Sequence, residues 1–546
     1  GADLEGPDVP DAAAPMPALV LTSGNASGEP LTWRNDDAVS RLGSIADALL
    51  VHDRPIERPI DDSVVRSLAM LSPGSSPKEA SLRESFSSPS LLPDAASSWP
   101  IPVRRARGYV PDPVAFDPPA GRPILALGGD LKGAICLARG HQAVLGEHLG
   151  DLDNPAAFRN FIDAQDRLGR LLQISPEVIV CDRHPGYQST AYAQRLARGG
   201  RDVTLSQSSV ADVAPVREAS PRELIEVQHH HAHAVSCMVD NGLPLVGPEA
   251  RVVALCCDGT GYGDGGEIWG GEVLVCDATS YRHAAQLWPA PLLGGDAAAR
   301  QCWRPLAGLF VETFGDTGHA ATREAMRYLG EVSRSVVDPM ALDIAAQRLA
   351  QRQTGFSRGV PRCSSLGRLF DAVASLTGIC AENRYESEAA MRVEAAAARA
   401  LREGKRIIPL GGEAVADALV VASEGRDVAA PRLILDSRVL IRDLASRVVK
   451  GETAGDLAAA FHEGISRLFA AAAVRVAEAE GLERVVLSGG SFVNRFFLTR
   501  VGALLSESGL RVYRHRLVPS GDGGLALGQA AIANAQLIAR SGKLGA

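Results

Sequence analysis

Short apolar segments that each end in a glycine- or aspartate-rich stretch recur along this chain, and they constrain its fold most. The clearest pairs are residues 124–127 before 128–130, 179–181 before Asp182, 252–257 before 258–261, and 485–487 before 488–490. Helical periodicity separates them, at residues 155–172, 366–377, 387–402, 454–480 and 523–538. Alternating strands and helices indicate an α/β protein whose functional sites lie at the strand ends. The recurrence of the pattern in both halves predicts a duplicated α/β domain.

A cluster of histidines is the strongest chemical signal in the chain. Four of the twelve histidines lie within the five residues 229–233. The flanking residues 222–239 contain few helix breakers, so we expect a helix there. Residues four apart share a helix face, which places His229 beside His233, while His230 and His231 point in other directions. Because two imidazoles at this spacing can chelate one ion, the pattern favours a metal site over a solvated stretch or core histidines.

Three acidic, glycine-rich turns accompany the histidine pair, at residues 258–266, 488–494 and 519–524. Glycine lets the backbone approach an anion closely and present N–H groups to it. Each turn follows a strand or opens a helix, so together they predict a nucleotide-phosphate cleft, although none matches a P-loop. Asp258 and Asp522 with the two histidines would form a nitrogen and oxygen ligand set. Such a set suits iron, zinc or manganese.

Composition argues against several classes of protein. The formal net charge of −8 is unfavourable for a broad nucleic-acid-binding surface. We find no apolar run approaching the roughly 20 residues that span a bilayer, and expect no membrane partner. The acidic first residues do not resemble a signal peptide. The nine scattered cysteines form no CxxC pair, which predicts buried thiols in a reducing cytoplasm.

A chain of 546 residues is too long for one core, so two or more domains are expected. Residues 72–100 are rich in Ser and Pro and lack apolar periodicity, which predicts a linker or insertion. Residues 200–222 are polar and show little periodicity, so we expect a loop there. Closer to the amino terminus we expect a strand at residues 18–21 and a helix at residues 38–50.

Taken together, the motifs resemble the HypF family of hydrogenase-maturation carbamoyltransferases. The resemblance to the large TsaD-like domain of that family is carried by residues 102–109, 181–185, 227–233, 258–272, 367–372, 488–494 and 522–529. Residues 21–30, 52–54 and 61–66 resemble the end of the YrdC-like domain that precedes it. The resemblance implies an α/β fold in which a partial YrdC-like segment precedes a two-lobed, duplicated actin-like ATPase (TsaD-like) domain. The implied boundaries are 1–71 for the YrdC-like part, 72–100 for the linker and 101–540 for the TsaD-like domain, with lobes at roughly 101–250 and 251–540.

The resemblance implies an ATP-dependent carbamoyl transfer. In the family, carbamoyl phosphate is cleaved and the YrdC-like domain makes carbamoyl adenylate from carbamate and ATP. The TsaD-like domain then moves the carbamoyl group to the C-terminal cysteine of the partner protein HypE, and the product becomes the cyanide ligand of nickel-iron hydrogenase. We therefore expect ATP, carbamoyl phosphate or carbamoyl adenylate, and a HypE-type acceptor as partners, and no nucleic acid.

The resemblance also assigns site residues by position. The catalytic metal site, for iron or zinc with magnesium as an alternative, is matched by His229, His233, Asp258 and Asp522. The nucleotide contacts in the YrdC-like part are matched by Ser23, Asn25 and Arg66. Those in the TsaD-like domain are matched by Gly259, Thr260, Gly261, Asp371, Glu386, Gly489, Gly490 and Asn494.

The chain departs from the family pattern, and other functions stay open. The acylphosphatase-like domain, the Cys-rich zinc modules and most of the YrdC-like domain have no counterpart here. We therefore expect a complete transfer site beside a halved adenylation site. Asp130 stands where the family usually has Glu, and residues 385–388 are slightly altered. The alternatives are a small-molecule O-carbamoyltransferase, a TsaD-type tRNA-modifying protein and a truncated non-catalytic scaffold.

Overall fold

Two units of very different size make up the chain, Gly1–Asp61 and Asp62–Ala546. The computed structural model describes residues 22–25, 29–56, 58–67, 100–199, 222–315, 319–334, 337–351, 360–403, 407–421 and 432–542. The strand expected at 18–21, the linker at 72–100 and the loop at 200–222 lie outside the described residues, apart from residues 100 and 222. In the first unit, helix α1 (Asn35–Leu42) buries none of its residues and ends at Gly43, so the helix expected at 38–50 was placed too late.

The first lobe of the second unit is built on a sheet of four described strands. These are β3 (Val114–Ala126), β4 (Cys136–Leu145), β5 (Val178–Asp182) and β6 (Glu223–Val227), in the order β4-β3-β5-β6. A short antiparallel pair precedes it, β1 (Val64–Arg66) with β2 (Ile101–Arg104). Helices α2 (Pro155–Leu172) and α3 (Gln188–Ala197) cover one face of the sheet. Asn154 caps α2 by accepting two backbone N–H groups, and the helix spans the residues predicted for it.

The histidine-bearing segment is a strand followed by a helix, so the single helix expected over residues 222–239 was wrong. β6 pairs in parallel with β5, and Ile225 and Val227 face the core while Glu226 is exposed. This period of two is typical of a strand. Helix α4 (His229–Asp240) begins only after Gln228, whose side chain accepts the N–H of His231 at 2.8 Å.

The second lobe is built on a sheet of nine described strands. Its main path runs β12 (Leu419–Val421), β13 (Leu433–Leu435), β9 (Tyr281–Leu287), β8 (Ile268–Cys276), β7 (Val252–Tyr262), β14 (Arg484–Ser488) and β15 (Arg511–Arg514). Two short strands join beside β8, namely β10 (Ala290–Pro291) and β11 (Arg362–Cys363). β14 lies parallel to both β7 and β15, so the carboxyl ends of these strands meet at one edge.

Strand β7 extends further than the sequence predicts. We expected it to end before a turn at Asp258, but it continues through Tyr262 with an irregularity between Cys257 and Gly261. The chain turns only at residues 263–267, in a hairpin to β8. The glycines after Asp258 therefore permit an irregular strand to pack closely against its neighbours.

Helices lie on the outer side of the second sheet, some against the sheet and others against neighbouring helices. They are α5 (Ala297–Arg300), α6 (Trp303–Phe314), α7 (His319–Val332), α8 (Pro339–Gln351), α9 (Leu366–Thr377), α10 (Glu388–Arg402), α11 (Arg438–Val449), α12 (Ala454–Glu480) and α13 (Arg495–Glu507). The bounds predicted for α9 and α12 are confirmed. By length and composition α12 could cross a membrane, so the expectation that no apolar run approaches that length was wrong. Because 83% of its apolar window is buried inside the fold, α12 is typical of a core helix.

Two helices lie in the layer between the sheets, α4 and the C-terminal helix α14 (Leu525–Arg540). They pack on each other, and their apolar residues share one core with strands of both sheets. The other face of the first sheet packs against α2 and α3. The other face of the second sheet packs against the layer that contains α9 and α12. The last helix therefore packs on α4 and on strands of the first sheet. The amino ends of α4 and α14 carry the histidine cluster and Asp522.

Candidate metal centre

Four side chains predicted to bind metal converge in the second unit. His229 and His233 lie one turn apart on α4, with ring centroids 4.8 Å apart. Asp258 comes from β7, and Asp522 from the 3-10 turn that precedes α14. One ligand atom from each of the four residues lies within 4.8 Å of the others, and all four residues are buried. Their mutual distances therefore suit a single ion.

The nitrogen and oxygen atoms face each other at short range. Nε2 of His233 lies 3.2 Å from Asp258 Oδ2 and 3.4 Å from Asp522 Oδ1. Nε2 of His229 lies 3.4 Å and 3.7 Å from the same two oxygens. The two imidazoles thus present the same ring nitrogen to the same pair of carboxylates.

Asp182, at the end of β5, orients the first histidine. Its Oδ2 lies 2.8 Å from Nδ1 of His229, and both side chains are fully buried. Because a carboxylate only accepts, Nδ1 carries a proton and donates it to Asp182, which leaves Nε2 to face the other two carboxylates. That Nε2 atom is buried and makes no aligned hydrogen bond to any described residue. A buried nitrogen without a hydrogen bond, with a carboxylate behind its ring, is the arrangement that metal-binding histidines adopt, so these residues fit a metal ion.

Electrostatics within the cluster favour a bound cation. Burial lowers the pKa of His229, but Asp182 and the two cluster carboxylates outweigh it and raise that pKa well above its ordinary value. Burial likewise raises the pKa of Asp258, and contact with the two imidazoles reverses this and holds it well below the ordinary value. The carboxylates therefore attract positive charge, either as protons on the imidazoles or as a metal ion that displaces them.

The remaining histidines of the cluster point away, as the helical spacing predicts. Nε2 of His231 lies 2.6 Å from the carbonyl oxygen of Asp277. The His230 ring packs beside Trp269, with centroids 5.7 Å apart, and a Cβ added to Gly261 would lie 2.5 Å from it. Neither ring nitrogen of His230 has a hydrogen-bond partner in the described part of the chain.

Two of the predicted phosphate-binding glycines contact a metal-site carboxylate. Asp258 Oδ1 accepts the N–H of Gly259 at 2.8 Å and that of Gly490 at 3.1 Å. Gly489 has a φ of +102° and its N–H donates to Ser520 O at 2.8 Å. A Cβ there would lie 2.2 Å from the carbonyl oxygen of Cys257, so only glycine fits. The turn after β14 is thereby held against β7 and Asp258.

The other predicted nucleotide contacts of the second unit are spread around this centre. Asp371 is buried on α9, where Arg368 Nε approaches its carboxylate to 2.7 Å without hydrogen-bond alignment and Asn383 donates to it at 3.0 Å. Asn494 is used as the N-cap of α13. Thr260 and Gly261 belong to the irregular part of β7, and Glu386 lies in the loop before α10.

The three residues predicted to contact nucleotide in the YrdC-like part fall into different units. Ser23 and Asn25 belong to the first unit, where Ser23 Oγ donates to the Asn25 side chain. Arg66 belongs to the second unit and donates to both carboxylate oxygens of Glu394, at 2.6 and 2.9 Å. It also donates to the carbonyl oxygen of Val493. The guanidinium of Arg66 is thus engaged within the second unit.

Sequence reasoning missed two residues of the site. Asp182 carried a usable signal, since it directly follows a buried strand, but nothing local pointed to His229 as its partner. Lys132 lies in the loop after β3, and its Nζ is 2.5 Å from Glu386 of the second lobe. Both pairings join residues far apart in sequence.

Comparison with known proteins assigns the chain to a family. A family model described as "Carbamoyltransferase, Kae1-like Domain, second subdomain" matches residues 254–529. A Cupriavidus necator protein named "Carbamoyltransferase HypF homolog" is 33% identical over 426 residues, which cover 77% of this chain and 94% of that protein. The chain belongs to the carbamoyltransferase HypF family. This membership confirms the resemblance seen in the sequence.

Further HypF matches cover nearly the whole chain. The model "HypF Kae1-like domain" matches residues 119–240, and a Sua5/YciO/YrdC model described as "Telomere recombination" matches residues 11–74. "Carbamoyltransferase HypF" of Rhodobacter capsulatus is 34% identical over 522 residues, which cover 95% of this chain but 57% of that protein. The chain thus spans little more than half the length of such HypF relatives.

Solved HypF structures share the fold. One is titled "Crystal structure of full-length HypF in the phosphate- and nucleotide-bound form", with a TM-score of 0.74 and 32% identity, covering 94% of this chain and 56% of that one. HypF of T. kodakarensis gives a TM-score of 0.72 at 25% identity, covering 95% of this chain and 57% of that one. The expected α/β fold, a Kae1-like (TsaD-like) domain after a partial YrdC-like segment, is confirmed.

Proposed function

We propose that this chain moves a carbamoyl group from carbamoyl adenylate to the C-terminal cysteine of a HypE-type acceptor protein, in the synthesis of the cyanide ligand of nickel-iron hydrogenase. The observation that carries the proposal is the four-residue cluster around His229 Nε2, with Asp182 behind the ring. Such a centre, next to glycine-rich turns in a HypF-family chain, suits acyl transfer from a phosphate. A cytoplasmic setting fits the nine buried thiols.

His229, His233, Asp258 and Asp522 would hold one divalent ion, with iron or zinc favoured by the ligand set and magnesium as an alternative. When bound, such an ion neutralises phosphate charge and polarises the acyl group. Asp182 keeps the His229 ring in the orientation that this requires. The N–H groups of Gly259 and Gly490 orient Asp258 in the same way.

Binding of an adenine nucleotide is supported by the amino end of α9. Ser365 caps this helix, and its Oγ donates to the carbonyl oxygen of Gly259. A Cβ added to Gly367 would lie 2.9 Å from Gly259 Cα, so the helix end packs tightly against the irregular part of β7. The positive end of a helix dipole next to the metal centre favours a phosphate there. A HypF structure titled as phosphate- and nucleotide-bound is consistent with this assignment.

The proposed transfer conserves atoms as follows. The acceptor sulfur forms a bond to the carbamoyl carbon, and the bond from that carbon to the phosphate oxygen breaks. AMP leaves with both bonding electrons on its phosphate oxygen, and the thiol proton passes to solvent. The amino end of α9 and the proposed dication would stabilise the negative charge that builds on the leaving phosphate.

Transfer of a labelled carbamoyl group tests the proposal. The full chain is incubated with labelled carbamoyl adenylate and a HypE-type acceptor, and label should reach the wild-type acceptor but not its C-terminal Cys→Ser variant. His229→Ala should abolish transfer, whereas His141→Ala, at an exposed site, should not. Transfer to a sugar or a tRNA in place of the acceptor protein would contradict the proposal, and so would no transfer at all.

A further inference from the structure

Lys132 is held in an unusual backbone conformation beside the metal centre. Its φ is +49°, in the left-handed region that residues other than glycine rarely adopt. The backbone N–H of Lys132 donates to Asp151 Oδ1 at 2.9 Å, which helps to fix this conformation. A Cβ added to Gly523 would lie 4.0 Å from the carbonyl oxygen of Lys132, so the loop adjoins the turn that carries Asp522. Backbone strain of this kind is often retained at functional sites.

The side chain of Lys132 reaches from the first lobe to the second. Its Nζ lies 2.5 Å from Oε1 of Glu386, which precedes α10. Burial lowers the pKa of Lys132, but the nearby carboxylates, with Glu386 first and then Asp522, outweigh it and raise that pKa above its ordinary value. The ammonium therefore stays charged at neutral pH and is paired with Glu386.

The ion pair between Lys132 and Glu386 is suited to exchange. The side chains are 33% and 51% exposed, and ion pairs in contact with water contribute little net stability. A phosphate bound near Asp258 and Asp522 would be repelled by their carboxylates unless cations compensate. The loop that carries Lys132 lies against Asp522, since a Cβ added to Gly129 would lie 3.7 Å from Asp522 Oδ2, so Lys132 is well placed to supply such a charge.

We propose that Lys132 binds the nucleotide phosphate of the transfer site, and that Glu386 is its resting partner. On nucleotide binding, the ammonium exchanges the Glu386 carboxylate for a phosphate oxygen. Glu386 is thereby released from the ion pair. The ion pair between the lobes thus occupies the phosphate position until nucleotide enters. This inference rests on the proposed nucleotide site.

The test compares ADP with adenosine on the full chain by calorimetry. The ratio of the two dissociation constants isolates the phosphate contribution, because contacts to the nucleoside cancel. Lys132→Met should reduce the preference for ADP by about tenfold or more, since a charge-assisted contact is lost. Lys132→Arg should retain most of it. Glu386→Gln should increase the preference, because the competing carboxylate is gone.

If Lys132 binds phosphate, the ratio of dissociation constants shifts in opposite directions in Lys132→Met and Glu386→Gln. If the ion pair were only structural, its loss would shift the ratio in the same direction in both variants. Exposed Lys450→Met and Glu324→Gln serve as controls and should leave the ratio unchanged. An unchanged ratio in Lys132→Met, or shifts of equal sign in both variants, overturns this inference while ADP binding by the wild type preserves the proposed function. A wild-type chain that binds neither ligand overturns both.

Discussion

Nδ1 of His229 donates a hydrogen bond to Oδ2 of Asp182 at 2.8 Å, and neither side chain is exposed. Asp182 closes strand β5 of the first sheet, whereas the ring belongs to the helix between the sheets. This one contact fixes which nitrogen of His229 faces Asp258 and Asp522. A carboxylate behind a ligating imidazole also increases its basicity and its metal affinity.

We expect the double variant His229→Ala/His233→Ala to lose most of its bound divalent metal, because both nitrogen donors are removed. Elemental analysis of purified protein measures the metal, and circular dichroism checks that the fold persists. His230→Ala should retain most of its metal, since that ring faces Trp269. Undiminished metal in the double variant would rule out this site.

Asp182→Asn should weaken metal binding by roughly 10- to 100-fold, which is the usual effect of removing a carboxylate behind a metal-binding histidine. Asparagine keeps the shape of the side chain and can still accept the N–H of His184. Competition with a chelator measures the affinity. Asp153→Asn, at an exposed position, is the matched control. Equal affinities in both variants would mean that Asp182 does not tune the centre.

Gly490→Asp should weaken the binding of an ATP analogue by about tenfold, or about 1.4 kcal/mol. A Cβ at this position would lie 2.9 Å from Asp258 Oδ1, and the added carboxylate would repel phosphate. Calorimetry measures the affinity. Gly502→Asp on α13 is the control, because a Cβ there meets no atom within 4 Å. If Gly490→Asp binds as tightly as the wild type, the turn is purely structural.

Glu463→Gln should lower the free energy of unfolding at neutral pH by about 2 kcal/mol. Burial raises the pKa of Glu463, but hydrogen bonds from Arg500 and Arg467 outweigh it and hold that pKa below the ordinary 4.5. A pKa that is lower in the folded state stabilises the fold above pH 4.5, and the contribution disappears as pH falls through the folded-state value.

Denaturant unfolding of Glu463→Gln and wild type between pH 7 and pH 3 tests this dependence. The difference in unfolding free energy should shrink as the solution is acidified. Glu478→Gln, on the exposed face of the same helix, should show little difference at any pH. A Glu463→Gln deficit that stays constant down to pH 3 would contradict the assignment.

Local periodicity was sufficient to predict several helices from the sequence. α2, α9 and α12 span the predicted residues because each combines an N-cap side chain with apolar residues at helical spacing. The helix expected over 222–239 was wrong because residues 223–227 pair with β5 instead. Pairing with a distant strand decided that segment, and no local pattern reports such pairing.

The sequence by itself determined that His229 and His233 share one face, because helical geometry alone places residues four apart side by side. It also placed Asp258 and Asp522 next to glycine-rich stretches. Only the tertiary structure brought these groups together, since the order of strands in the two sheets and the packing of α14 on α4 join residues more than two hundred positions apart. The pairing of His229 with Asp182 and that of Lys132 with Glu386 were also decided only by the tertiary structure. Contacts between separate sheets and lobes depend on long-range packing, which leaves no periodic trace in the chain.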